Sequence, residues 1–64
     1  MIKFIDSKSE VAVYFTTEDG TEYRTSTSGS YWERRYGDSW ETVWGKEEDE
    51  CREQCKLWYG GDVF

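Results

Sequence analysis

The chain contains no histidine, no proline, a single leucine at Leu57 and only two cysteines. Each scarcity closes off chemistry. Without histidine, the commonest general acid/base is missing, and neither Cys51 nor Cys55 has the imidazole that usually activates a thiol. Zinc sites of the ordinary kind need histidine or a second cysteine pair, and neither is present. Cys51 and Cys55 stand four residues apart, so on a helix they share a face with Cβ atoms that do not converge for a disulfide. The expectation is two free thiols packed as small apolar groups, with no metal and no cofactor. No glycine loop matches a phosphate-binding pattern, since Gly29, Gly37 and Gly45 are isolated and Gly60-Gly61 falls near the end. No apolar run approaches the roughly 20 residues of a membrane helix, and no basic-then-apolar leader is present. The reading is therefore not an enzyme, not a membrane protein, and cytoplasmic.

Aliphatic side chains are also few, with Ile2, Ile5, Val11, Val13, Val43 and Val63 beside the one leucine. Aromatics supply 19% of the 64 residues, including four tryptophans. One domain spanning 1–64 is the natural count, and a single core of this size rarely yields more than about 3–5 kcal/mol. Rings must provide most of the buried area. There are more of them than one small core hides, which predicts self-association as a homodimer or a protein partner.

Eight cations stand against fourteen anions, a formal charge of −6, with Glu47-Glu48-Asp49-Glu50 unbroken. Such a chain repels nucleic acid and anionic membrane and is steered towards a basic protein surface. Acids at a helix start also complement the helix dipole, which accounts for the run without any partner. Arg34-Arg35 is the only adjacent pair of cations, so direct nucleic-acid binding is not expected.

"EVAVYFTTEDGTEYRTSTS" reads as a β-hairpin over about 11–27, turned at Glu18-Asp19-Gly20. A three-residue loop with left-handed Gly20 sets Phe15 opposite Tyr23 and Val13 opposite Thr25. That register gathers Val11, Val13, Phe15 and Tyr23 on one face. "MIKFID" can add a strand with either Ile2 and Phe4 or Lys3 and Ile5 facing inward. "KEEDECREQCKLWYGG" reads as a helix, with acids leading, Lys56 in the last turn and Gly60-Gly61 as the stop. Cys51, Cys55, Trp58 and Tyr59 form its apolar stripe. "DVF" at the end can return as an edge strand. The fold class that follows is α+β, a small antiparallel sheet built on the N-terminal hairpin with the C-terminal helix packed on it.

The segment between them gives conflicting signals. Ser30-x-x-Glu33 and Asp38-x-x-Glu41 resemble capping boxes, with Gly37 and Gly45 as stops. Gly37-Asp38 would equally turn a second hairpin, and Trp40, Thr42 and Trp44 alternate as in a strand. A helical turn or short helix across part of 30–44 is the expectation. The same segment repeats itself, for "WERRYG" and "WETVWG" both read aromatic-Glu-x-x-aromatic-Gly, eight residues apart. Trp and Tyr dominate interface energetics, and a neighbouring acid steers towards a basic partner. Trp40, Glu41 and Trp44, or in the rival register Trp32, Glu33 and Tyr36, are the candidate partner-binding residues. Val43 keeps an apolar residue inside the later element, which favours it over the earlier one with Arg34-Arg35.

The order of these features resembles the small, dimeric type of phage-encoded uracil-DNA glycosylase inhibitor. The residues that carry the resemblance are "TEDGTEY", "WETVWG" and Asp49-Glu50. It implies a DNA mimic that binds and inhibits a DNA-repair enzyme, acting in the host cytoplasm. Trp40 would help surround an apolar side chain of the glycosylase, and Glu41 and Trp44 would contact its basic DNA-binding cleft. The alternative is a small acidic interaction module directed at another basic or nucleic-acid-binding protein.

Overall fold

A computed structural model of the chain describes residues 2–26 and 31–60. Five strands and one helix follow in order: β1 (Phe4–Ser9), β2 (Ala12–Thr17), β3 (Glu22–Ser26), β4 (Trp32–Tyr36), β5 (Ser39–Val43) and α1 (Gly45–Tyr59). The strands form one antiparallel meander in the order β1-β2-β3-β4-β5. The α+β class expected from the sequence is the one observed.

The first hairpin has the expected register, with Phe15 opposite Tyr23 and Val13 opposite Thr25. Its loop is Glu18-Asp19-Gly20, and Gly20 takes φ 90°, a left-handed value that glycine adopts without a Cβ penalty. Asp19 ties the loop by accepting hydrogen bonds from the Thr17 hydroxyl and the Thr21 N–H. Those bonds, led by the one from Thr17, hold its carboxyl down to about 2. Val11 does not join the inward face. It lies in the turn before β2 and is 93% exposed. In the N-terminal strand, Phe4 is the residue that faces inward, with Ile2 packed beside it, while Ile5 is exposed.

The expectation of a helical turn within 30–44 is not met. Residues 32–43 form a second hairpin, β4 and β5, with Tyr36 opposite Ser39 across a Gly37-Asp38 loop. Gly37 has φ 60° while no described non-glycine residue has a positive φ, which is the pattern of a type II′ turn. Two-period alternation and a loop matched to strand twist outcompete the capping signals at Asp38 and Glu41. The repeated element is thus the two arms of one hairpin. Ser30 of the other capping box, and the proposed "DVF" strand, lie outside the described residues.

Strand alternation puts Phe4, Val13, Phe15, Tyr23, Trp32 and Val43 into the core that α1 covers. Phe4 stacks on Phe15 at 4.2 Å between centroids, and Trp32 lies 5.6 Å from Phe15 and 6.0 Å from Phe4. The helix meets these rings with the small side chains of Cys51 and Cys55, both buried and unbridged. Side chains then stitch it down. Glu47 accepts from the Tyr23 hydroxyl at 2.8 Å and pairs with Arg34 at 3.3 Å. Burial, helped by the bond to Glu47, pushes the Tyr23 hydroxyl above its ordinary pKa. In the last turn it is Tyr59 that reaches the sheet, edge-on to Phe15 and bonded to Ser7, whereas Trp58 is 43% exposed. The expected stripe therefore holds for Cys51, Cys55 and Tyr59 but not for Trp58. Gly60 ends the helix at φ 85°, donating its N–H to Lys56 at 2.7 Å.

Two predictions follow from this core. Trp32 is 1% exposed and its indole N–H has no partner among the described residues. Trp32→Ala should cost roughly 3–5 kcal/mol and leave the chain largely unfolded in a denaturant melt. Trp32→Phe should cost clearly less, because it keeps a ring and discards an unbonded donor. A Trp32→Ala variant that melts like the parent would remove Trp32 from the core.

Burial raises the Cys51 thiol to about 12, reinforced by Glu47, Glu50 and Glu48, and burial raises Cys55 to about 11. At pH 8 both should therefore be protonated and resist a thiol-specific disulfide reagent in the native state. Both should react at once on denaturation. Rapid labelling of the native protein at pH 8 would contradict their burial.

Candidate functional site: the β5 edge

The six residues singled out by the repeated element occupy three different environments. Trp32 is core, so the earlier element has no tryptophan at the surface. Its Glu33 lies on the sheet face away from the helix, bonded to Arg24 at 2.6 Å. Tyr36 is 46% exposed beneath the Arg34 guanidinium, which lies 4.3 Å from the ring centre. The earlier register was the weaker candidate by sequence, and its tryptophan fills the space under the helix.

The later element behaves differently. Trp40 and Glu41 belong to β5, and Trp44 follows in extended conformation, with φ −150° and ψ 177°, as the residue before α1. Alternation directs Trp40, Thr42 and Trp44 to the open face of the sheet and Glu41 to the helix side. Trp44 is 74% exposed. Trp40 is half-buried, with Arg24 4.3 Å above its ring and Tyr14 6.0 Å away in a tilted contact. Ring and acid are neighbours in sequence but stand on opposite faces, so only something that straddles the β5 edge reaches both.

That edge is open. In a two-residue hairpin the residues flanking the loop form a hydrogen-bonded pair, here Tyr36 and Ser39. The pattern alternates from there. Ser39, Glu41 and Val43 turn their N–H and C=O groups towards β4, while Trp40 and Thr42 turn theirs outward. No hydrogen bond to these outward groups is found among the described residues.

The opposite edge is closed by several devices at once. Strand β1 carries a bulge between Phe4 and Asp6. The N–H of Ile2 is bonded to the Glu50 carboxylate at 2.8 Å, and that of Phe4 to the Gln54 side chain at 3.1 Å. Lys8 and Glu10 form an exposed ion pair at 3.2 Å near its far end. Bulges, charges and covering groups are the standard protections of a sheet edge, and among the described residues β5 has only the charge of Glu41.

The acidic run has mostly internal duties. Glu47 serves Tyr23 and Arg34, Glu50 serves Ile2, and Glu48 pairs with Arg52 at 2.7 Å. Asp6, Glu18, Asp19, Asp38, Glu41, Asp49 and Glu53 are the exposed acids among the described residues outside the Lys8–Glu10 pair. The open face itself balances its charges, through Arg24 with Glu33 and Arg35 with Glu22 at 2.9 Å. Sequence reasoning missed Arg24, which backs Trp40, and Thr42, which centres the open edge. The Trp40-Thr42-Trp44 alternation was the signal that pointed to the latter.

No cluster of three or more potential metal ligands occurs among the described residues, and no described helix is long and apolar enough to cross a membrane. Compared with protein-family models, curated proteins and solved structures, the chain matches none.

Proposed function

We propose that this protein is an acidic protein ligand that binds and inhibits a basic, DNA-binding repair enzyme, with uracil-DNA glycosylase as the named target. The observation that carries the reading is the β5 segment, where Trp40, Glu41 and Trp44 flank a strand edge that nothing described in the chain covers. Trp44 is a large ring, 74% exposed, the kind of side chain that supplies interface hot spots. The exposed carboxylates of Asp38 and Glu41 sit on the same hairpin, placed to meet cations that otherwise hold phosphates. The net charge of −6 favours encounter with such a cleft. The glycosylase itself enters through the resemblance of "TEDGTEY", "WETVWG" and Asp49-Glu50 to the small dimeric inhibitors.

Uracil excision from DNA, measured while this protein is titrated in, tests the reading. Activity should fall to zero with a stoichiometric endpoint. Trp44→Ala should weaken inhibition by about 2–4 kcal/mol of binding, without a change in melting temperature. Glu41→Gln should mainly slow association and flatten its salt dependence. Undiminished excision at a large excess of protein would refute the glycosylase as target. Recovery of a different basic protein from bacterial lysate, lost in Trp44→Ala, would then redirect the same surface to another partner.

A further inference from the structure

We propose that Arg24 is a positioning residue for the target-binding surface: its guanidinium, anchored by Glu33, holds the Trp40 ring across the open face of the sheet. What the ring is held for rests on the proposed function, while the holding itself belongs to the free chain.

Trp40 does not stand where its register alone would leave it. Its partner across the β4–β5 ladder is Arg35, and Arg24 lies one strand further in, on β3. Neighbouring strands are about 4.8 Å apart, so β3 lies roughly 10 Å from β5. Strand side chains ordinarily stand perpendicular to the sheet. The Trp40 ring instead reaches over β4, with the Arg24 guanidinium carbon 4.3 Å from its centre. It also comes to 6.0 Å from the ring of Tyr14 on β2, the residue opposite Arg24. Rings from β2 and β5 thus meet at one cation on β3.

Arg35 is committed elsewhere. Its Nε donates to the Gly37 carbonyl at 2.7 Å and its Nη1 to Glu22 at 2.9 Å. Arg24 is fixed from its edge, where Nε donates to Glu33 at 2.6 Å. That carboxylate leaves the flat face of the guanidinium for the indole. A planar guanidinium serves both partners at once, whereas an ammonium is a compact, strongly hydrated charge. Both arginines pair with a carboxylate on the open face, but Arg24 carries the ring.

A ring held before the partner arrives does not have to be ordered on binding. Each mobile side chain that must be ordered weakens binding by about two- to tenfold. Trp40 is half-buried in this arrangement, while Trp44 is 74% exposed. The surface thus offers a fixed plate beside a more exposed ring.

Electrostatics alone gives the loss of Arg24 the opposite sign. A chain of net charge −6 that loses a cation is steered more strongly towards a basic cleft. Arg24→Gln and Arg35→Gln change the charge equally, so comparing them isolates the ring.

Two measurements on the whole chain test the assignment. In the first, relaxation of the indole N–H groups is followed by nuclear magnetic resonance with no target present. Trp40 should be as ordered as the core Trp32 in the parent and in Arg35→Gln. It should be mobile in Arg24→Gln and in Arg24→Lys, with Trp32 unchanged throughout as the sign of an intact fold.

In the second, the inhibition constant for uracil excision is measured for the same four proteins. Arg24→Gln and Arg24→Lys should inhibit about two- to tenfold less well than the parent. Arg35→Gln should inhibit as well as the parent or better. A Trp40 indole that stays ordered without Arg24 overturns the proposal, as does inhibition by Arg24→Gln equal to that by Arg35→Gln. A parent that does not inhibit at all, with Trp40 released in Arg24→Gln, would refute the target and leave the positioning of the ring standing.

Discussion

Trp32 lies under the helix with Phe4 and Phe15 at 6.0 and 5.6 Å between ring centres, and almost none of its surface meets solvent. The rest of the structure follows from burying that ring. A chain with one leucine cannot build a core from aliphatic contacts, so the sheet supplies rings and the helix must come close enough to cover them. Cys51 and Cys55 permit that approach because they are small and apolar. Glu47 then holds the helix start through Tyr23 and Arg34, while Glu50 and Gln54 hold its middle against β1. Two acids of the run Glu47-Glu48-Asp49-Glu50 are thus attachments of the helix, and a third, Glu48, pairs with Arg52 along the helix itself.

Placing the helix in this way makes the two sheet edges unequal. The groups that fasten α1 to β1 also satisfy the N–H groups of Ile2 and Phe4, so the start of that edge is covered as a by-product of helix docking. At the other edge the chain leaves β5 through Trp44 and Gly45 directly into the helix, and none of the described elements lies along the strand. Thr42 is consequently central and, among the described residues, uncovered. Fold and proposed target binding meet on the same five-residue strand.

Much of the fold was legible from local chemistry. Glu18-Asp19-Gly20 set the first hairpin's register because a left-handed glycine allows a three-residue loop, and that loop brings Phe15 to Tyr23. The helix was legible from its dipole-matched charges and the Cys51 and Cys55 spacing. Residues 30–44 were not, because Asp38-x-x-Glu41 satisfies the local rules for a helix start as well as Gly37-Asp38 satisfies those for a turn. Only the sheet already formed by β1–β3 decides between them, by offering β4 a partner edge and Trp32 a place among rings. Which tryptophan would be core was unreadable for the same reason. Trp32 and Trp40 have near-identical neighbours in sequence, and it is their opposite faces in the hairpin that bury one and leave the other half-exposed. Val11 and Trp58 deceived in a simpler way. Each has the right periodicity but falls where its element turns or ends.

Amide hydrogen exchange, followed residue by residue in dilute solution, tests the unequal edges most directly. The N–H groups of Ile2 and Phe4 should be protected, since their partners are within the chain. Those of Trp40 and Thr42 should exchange freely, as groups with no partner among the described residues. Protection of Trp40 and Thr42 equal to that of Ile2 and Phe4 would contradict the account, because the β5 edge would then be covered from within.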